Sequence, residues 1–123
     1  MRALIVDDSQ FIRSYLRALL EVHGIVCEAA GDGAAGLDCV RRFGPYRVAL
    51  IDWNMPGMSG LEMVQALRQD PALDGMKIVM VTTEAENDHI EAALHAGADE
   101  YLMKPFDEAG LIDKLQMVGV VEA

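Results

Sequence analysis

The strongest constraint on the fold of this chain is a five-fold alternation of short aliphatic runs with segments of helical spacing. The aliphatic runs occupy residues 3–6, 25–27, 48–51, 78–81 and 101–103. Behind the first run, apolar side chains recur with the spacing of a helix that has one buried stripe, at Phe11, Ile12, Tyr15, Leu16, Leu19 and Leu20. Five such units predict an α/β fold of the (βα)5 type, a doubly wound five-stranded parallel sheet with right-handed crossovers and helices on both faces.

Capping residues mark where several of these helices begin and end. Ser59, followed three residues later by Glu62, has the spacing of a capping box and predicts the start of the third helix. Gly24 and Gly97 are expected to end the first and fourth helices, because glycine readily adopts the left-handed conformation that terminates a helix.

Polar side chains stand at the carboxyl ends of four of the five predicted strands. The residues that follow the strands, in chain order, are Asp7-Asp8, Ala29-Ala30, Asp52, Thr82-Thr83 and Lys104-Pro105. The second strand brings no polar group to this edge and carries Glu28, which suits the border of a sheet. The predicted strand order is therefore 2-1-3-4-5, as in flavodoxin-like folds, with strands 1 and 3 adjacent where the order reverses. Asp7, Asp8 and Asp52 should converge at that point.

Three carboxylates in one pocket repel one another unless they share a cation. The side chains at this edge offer oxygen ligands and neither His nor Cys, which favours Mg²⁺ over zinc. Lys104 supplies a second positive charge, and residues 78–103 contain no other Lys or Arg. The same stretch holds six acids, Glu84, Glu86, Asp88, Glu91, Asp99 and Glu100. Together with the hydroxyl of Thr82, a metal and an amine around Asp52 would form a cradle for a phosphoryl group, which an aspartate can accept as an acyl phosphate.

Length and charge exclude several classes of protein. The 123 residues suffice for one domain with a substantial core. No apolar run approaches the roughly 18 residues of a membrane span, and the amino-terminal pattern is not that of a secretory signal, so we expect a cytoplasmic protein. A net charge of −10 with scattered basic residues would repel nucleic acid. Cys27 and Cys39 lack metal-binding spacing and are expected to be buried core residues.

Four blocks of the sequence carry a resemblance that covers essentially the whole chain. They are "LIVDDS", "ALIDWNMPGMSGLE", "VMVTTEA" and "YLMKPF". Together they resemble the signature blocks of two-component response-regulator receiver domains. The segments "DWNMP" and "TTEA", with Tyr101, are most similar to those of single-domain chemotaxis regulators.

The resemblance implies a role for each residue at the predicted site. Asp52 would be the phosphoacceptor, Asp8 a direct Mg²⁺ ligand and Asp7 a ligand that acts largely through water. Asn54 would contribute its backbone carbonyl to the metal. Trp53, next to the phosphoacceptor, is expected to report on metal binding.

Further roles concern the last two strands. Thr82 and Lys104 would bind the phosphoryl oxygens, and the peptide between Lys104 and Pro105 would be cis. Thr82 and Tyr101 would form a switch pair, in which the hydroxyl moves toward the phosphoryl group and the aromatic ring turns inward behind it. The protein would not be an enzyme in the usual sense, because it would catalyse only its own phosphorylation and dephosphorylation.

The resemblance also implies partners. We expect a sensor histidine kinase as phosphodonor, and an output protein that binds the face formed by the fourth helix, fifth strand and fifth helix. We expect a single receiver domain over residues 1–123 with no output domain, acting as a monomer. On that face Glu86, Asp88, Glu91 and Glu100 accompany a single late cation, Lys114. This acidity weakens the expectation of a flagellar-motor partner, and a phosphorelay shuttle between kinases and phosphotransfer proteins is the alternative.

Two other classes fit the residues less well. A phosphohydrolase of the haloacid-dehalogenase type would resemble D-x-D at the first strand, whereas this chain has Asp7-Asp8-Ser9 there and an isolated Asp52 on the third strand. A flavin binder would need a Ser/Thr/Gly-rich loop after the first strand. His23, His89 and His95 lack ligand spacing and are expected to be solvated.

Overall fold

The computed structural model describes residues 1–83 and 87–122, without the side chain of Asn87. Glu84 and Glu86, two of the acids noted above, therefore lie outside the described residues. The elements alternate as predicted: β1 Arg2–Val6, α1 Gln10–Val22, β2 Val26–Ala30, α2 Gly33–Phe43, β3 Val48–Asp52, α3 Gly60–Arg68, β4 Lys77–Thr82, α4 Asn87–Ala96, β5 Glu100–Met103 and α5 Glu108–Met117. A short 3-10 helix, Pro71–Leu73, lies between α3 and β4.

The five strands form one parallel sheet in the order β2-β1-β3-β4-β5, which confirms the predicted flavodoxin-like topology. β1 and β3 are neighbours, with Val6 opposite Ile51. This register places the residues that follow Val6 beside the end of β3. The sheet therefore assembles the predicted site at its carboxyl edge.

Alternation of side chains along the strands divides the core into two layers. One layer lies under α2, α3 and α4 and includes Leu4, Val6, Ala49, Ile51, Ile78 and Met80. The other lies under α1 and α5 and includes Ala3, Ile5, Val48, Leu50, Val79 and Val81. Because the central strands are buried on both faces, they consist almost entirely of aliphatic residues, as is usual for parallel sheets.

The helix ends follow the capping signals. The Ser59 hydroxyl accepts a hydrogen bond from the Glu62 backbone N–H, and the Glu62 carboxylate accepts one from the Ser59 N–H, which completes the capping box. Gly24 and Gly97 follow α1 and α4 with φ of 76° and 120°, in the left-handed region that favours glycine.

Several expectations about individual residues need correction. The second strand runs to Ala30, so Ala29 and Ala30 lie within β2 instead of following it; pairing with β1 extends it, with Val6 opposite Ala30. Phe11 is 74% exposed, since the buried stripe of α1 is centred on Leu16 and Leu20. Cys27 is buried as expected.

Cys39 and His89 also differ from expectation. Cys39 is only half-buried on α2. His89 is half-buried too and packs against Trp53 instead of being fully solvated. In the described part of the chain, no helix is both long enough and apolar enough to cross a membrane.

Candidate functional site

The ends of four adjacent strands bring four polar side chains together. Asp7 directly follows β1, Asp52 is the last residue of β3, and Thr82 is the last residue of β4. The backbone N–H of Lys104 donates to the carbonyl of Thr82 at 2.8 Å, which places Lys104 beside the end of β4. Asp7, Asp52 and Thr82 are the buried polar residues of the described chain.

Lys104 joins the two buried carboxylates. Its Nζ lies 3.0 Å from Oδ2 of Asp7 and 3.1 Å from Oδ1 of Asp52. The Lys104 side chain is only 18% exposed, so these two ion pairs are shielded from water and strengthened accordingly. An ammonium in this position can bind a negatively charged group that is attached to Asp52.

The three aspartates that the sequence singled out form one cluster. Oxygen atoms of Asp7, Asp8 and Asp52 all lie within 4.8 Å of one another, with Asp8 exposed and the other two buried. The second carboxylate oxygen of Asp7 accepts a hydrogen bond from the Ser9 N–H at 2.9 Å, which fixes its orientation. A set of carboxylate oxygens with one solvent-facing member fits a hard cation such as Mg²⁺, which retains several waters when bound.

Electrostatics at the cluster oppose full ionisation. Burial raises the pKa of Asp52, and the charge of Asp7 raises it further, while the hydrogen bond from Lys104 acts in the opposite direction. Burial by itself would lower the pKa of Lys104, but its hydrogen bonds to Asp7 and Asp52 outweigh this and raise the pKa. One ammonium thus faces three carboxylates, and with all three ionised the site is two positive charges short of neutrality.

The remaining predicted residues surround the cluster. Asn54 lies exposed two residues after Asp52, and the peptide between Lys104 and Pro105 is cis. Tyr101 is half-buried on β5, and Nζ of Lys114 lies 4.4 Å from the centre of its ring. Met80 pairs with Tyr101 across β4 and β5, so Tyr101 lies in the same layer as Met80, below Thr82.

Two residues that hold the backbone around the cluster were not predicted from the sequence. A Cβ on Gly60 would lie 2.2 Å from the backbone oxygen of Asp52, so only glycine lets α3 begin this close to the end of β3. Nη1 of Arg13 donates to the backbone oxygen of Asp7 at 2.7 Å and holds the β1–α1 turn. The position of Gly60 directly after the capping residue Ser59 could have indicated its role in the sequence. No sequence pattern pointed to Arg13.

An aromatic groove opens beside the cluster. The rings of Phe11 and Tyr15 are stacked with centroids 6.2 Å apart, and Tyr15 also contacts the ring of Phe106. A groove of about 330 Å³ runs along these rings and reaches Pro105 and Lys104. The most exposed of these rings, Phe11, therefore borders a groove that reaches Lys104, the partner of the two buried carboxylates.

Comparison with known families gives one match that spans nearly the whole chain. The response regulator receiver domain family matches residues 3–116. The chain belongs to this family. Receiver domains generally bind Mg²⁺ at an acidic pocket, and in this receiver domain Asp7, Asp8 and Asp52 form an acidic cluster.

Relatives of this receiver domain include chemotaxis proteins. It is 37% identical over 119 residues to chemotaxis protein CheY of Pseudomonas aeruginosa, which covers 96% of this chain and 95% of that protein. Chemotaxis protein CheY-3 of Vibrio cholerae is 35% identical over 119 residues, with coverage of 96% and 91%. The solved structure of Vibrio cholerae CheY4 superposes with a TM-score of 0.90 at 34% identity, over 95% of this chain and 97% of that one.

Proposed function

We propose that this receiver domain is a stand-alone response regulator that accepts a phosphoryl group on Asp52 from a histidine kinase and then binds an output protein. One observation carries the proposal. Asp52 is a buried carboxylate held 3.1 Å from the ammonium of Lys104, in one cluster with Asp7 and Asp8. Its placement fits a nucleophile whose product would be stabilised by neighbouring positive charge.

In the proposed reaction, a carboxylate oxygen of Asp52 attacks the phosphorus of a phosphohistidine. The new O–P bond forms as the N–P bond breaks, and the imidazole leaves with the electron pair and takes a proton from solvent. Negative charge spreads over the phosphoryl oxygens during the transfer. Lys104 would donate to one of those oxygens and the hydroxyl of Thr82 to another, which stabilises that charge.

Asp8 and Asp52 would hold Mg²⁺ through carboxylate oxygens, Asp7 largely through water, and Asn54 through its backbone carbonyl. When bound, the ion supplies electrostatic stabilisation of the phosphoryl oxygens. Asp7 and Asp8 are adjacent in the chain and can share the cation. Asp52 leaves a different strand and faces Lys104, so its second oxygen is the one available for attack.

The aromatic groove supports a protein as the phosphodonor. Phe11 is exposed at the rim of the pocket, and exposed aromatic side chains are frequent anchors of protein interfaces. A kinase that seats its phosphohistidine above Asp52 would contact this ring. We therefore place kinase docking on α1 and the segment after β5.

In this proposal, the output protein binds the surface formed by α4, β5 and α5, the output face. Relatives named as chemotaxis proteins support a chemotaxis-like role, in which phosphorylation changes binding at this face through the Thr82 and Tyr101 pair. The receiver would act as a cytoplasmic monomer. It would catalyse only its own phosphorylation and dephosphorylation.

A phosphorelay shuttle is the second candidate, and the charge of the output face favours it. Lys114 is the one Lys or Arg in α4, β5 and α5, and its Nζ lies 3.4 Å from Oε1 of Glu100. Asp88 and Glu91 are exposed on α4. A pull-down with the phosphorylated form against motor-switch and phosphotransfer proteins would distinguish the two outputs.

Incubation with acetyl phosphate or phosphoramidate and Mg²⁺ tests the central proposal. The wild type should gain the mass of one phosphoryl group and change its Trp53 fluorescence, whereas Asp52→Asn should do neither. Asp88→Asn, which removes an exposed acid, is the matched control and should behave as wild type. Beryllofluoride should reproduce the fluorescence change, and chelation of Mg²⁺ should prevent it.

Two results would contradict this assignment. If Asp52→Asn still gains a phosphoryl group, another carboxylate is the acceptor. If the wild type instead hydrolyses unrelated phosphate esters with multiple turnovers, the protein is a phosphohydrolase.

A further inference from the structure

A ring contact connects the loop after the proposed phosphoacceptor to α4. The indole of Trp53 and the imidazole of His89 meet edge-to-face, with ring centroids 5.3 Å apart and planes at 90°. Trp53 directly follows Asp52, and His89 is the third residue of α4. Both rings are half-buried, so the contact is part of the packed structure.

The backbone of Trp53 is tied to the elements around the site. Its N–H donates to the carbonyl of Val81 at 2.9 Å, and its carbonyl accepts from the N–H of Gly60 at 3.0 Å. Its indole packs against the core layer under α2, α3 and α4, which Tyr101 also contacts. Because Asp52 and Trp53 share a peptide bond, displacement of the Asp52 backbone reorients the indole.

α4 buries few of its side chains completely. Among its described side chains only Ala93 is buried, and Leu94 is exposed. A helix with so little buried apolar surface depends on each contact that remains. The ring contact of His89 therefore helps to position the first turn of α4, together with the half-buried side chain of Ile90.

We infer that His89 is the positioning residue through which α4 responds to the state of Asp52, with Trp53 as the connecting side chain. This inference rests on the proposed phosphorylation of Asp52. It assigns to Trp53 and His89 a route from the site to α4 that operates beside the pair of Thr82 and Tyr101. In its absence, phosphorylation would still occur, but α4 would respond weakly.

Three variants test the inference. His89→Ala removes the ring, His89→Phe keeps an aromatic edge against Trp53, and His95→Ala is the matched control because His95 is an exposed histidine of the same helix. Backbone amide chemical shifts of residues 88–96 and of Tyr101 are recorded with Mg²⁺, before and after addition of beryllofluoride. Phosphorylation by acetyl phosphate is measured separately by mass.

We expect all variants to gain the phosphoryl group and to shift the Tyr101 amide as wild type does. His89→Ala should lose most of the α4 shift change, His89→Phe should recover it, and His95→Ala should retain it. An α4 response in His89→Ala equal to that of wild type would overturn the inference while leaving the proposed function intact. An equal loss in His95→Ala would also overturn it, because any perturbation of the helix would then suffice. Failure of the wild type to gain the phosphoryl group would remove the proposed function and this inference together.

Discussion

At Asp52, burial and the carboxylate of Asp7 disfavour ionisation, whereas the ammonium of Lys104 favours it. The balance leaves the pKa of Asp52 raised, so the ionised folded site is less stable than it would be with a neutral side chain. A carboxylate nucleophile must be ionised and accessible to phosphorus. An ionised Asp52 at this position lowers the stability of the folded protein. The cost is measurable by removing the charge.

Asp52→Asn should raise the free energy of unfolding at neutral pH without Mg²⁺, by about 1 kcal/mol, the usual scale of a single substitution. The pKa of Asp52 is higher in the folded than in the unfolded state, so the wild type loses stability as the pH rises through that pKa. At lower pH Asp52 is protonated, and the stability advantage of Asp52→Asn over the wild type should therefore shrink. Urea denaturation at a series of pH values measures this. Asp74→Asn, which neutralises an exposed acid, should change stability little; a loss of stability in Asp52→Asn at neutral pH would contradict the electrostatic account.

At the scale of elements, the site depends on how closely the ends of strands and helices approach. α3 begins at Gly60 against the backbone of Asp52 and Trp53, where a Cβ would lie 2.9 Å from Cα of Trp53. α1 begins at a cap in which the Ser9 hydroxyl accepts from the N–H of Ile12 at 3.3 Å. These close approaches fix the loops on either side of the carboxylate cluster.

Gly60→Ala should therefore destabilise the fold and disturb the site together. Backbone atoms cannot yield as a flexible side chain can, so we expect a loss of about 1–3 kcal/mol, as for other overpacked positions. Chemical denaturation and Mg²⁺ titration by Trp53 fluorescence measure the two effects. Gly75→Ala is the control, because a Cβ there would meet no atom within 4 Å; equal losses at Gly60 and Gly75 would show that close packing is not the cause.

Phe11→Ala should slow phosphotransfer from the kinase without slowing phosphorylation by acetyl phosphate. The ring borders a groove whose lining includes Lys104 but none of the three aspartates, so only a donor large enough to contact α1 should be affected. A loss of about tenfold in transfer is the scale of one interface anchor. Phe43→Ala removes another exposed phenylalanine, at the end of α2, and should leave both rates unchanged. Equal slowing with both donors would instead place Phe11 in the reaction itself.

For the whole molecule, negative charge accumulates where the strands end. The chain carries a net charge of −10, and three of its carboxylates meet in one cluster with a single ammonium between them. A divalent cation that binds only the folded cluster should stabilise the entire domain, since unfolding disperses its ligands.

Mg²⁺ at roughly ten times its dissociation constant should stabilise the fold by about 1.4 kcal/mol. For a domain of this size that is about 4–6 °C in Tm. Asp8→Ala should abolish the shift, whereas Asp88→Ala, which removes an exposed acid on α4, should preserve it. Thermal denaturation monitored by circular dichroism gives the comparison, and an unchanged Tm in the wild type over millimolar Mg²⁺ would remove the metal assignment.

The number of strands, their order and the residues at the carboxyl edge could all be predicted from the sequence alone. Each of these depends on local patterns: aliphatic runs, helical spacing, and polar residues such as Asp52 and Thr82 at the ends of runs. In a parallel sheet the carboxyl ends of all strands lie at one edge, so residues at the ends of adjacent strands are neighbours in space. Topology therefore followed from the order of residues along the chain.

Only the tertiary structure decided which side chains meet across elements. The contact of Trp53 with His89, the closeness of Gly60 to Asp52 and the exposure of Phe11 depend on the rotation and approach of whole helices. Helical spacing identifies an apolar stripe, but it leaves the angle at which that stripe faces the sheet to be settled by packing against neighbouring elements. Contacts between residues far apart in the chain follow from that packing, and they cannot be predicted from local sequence patterns.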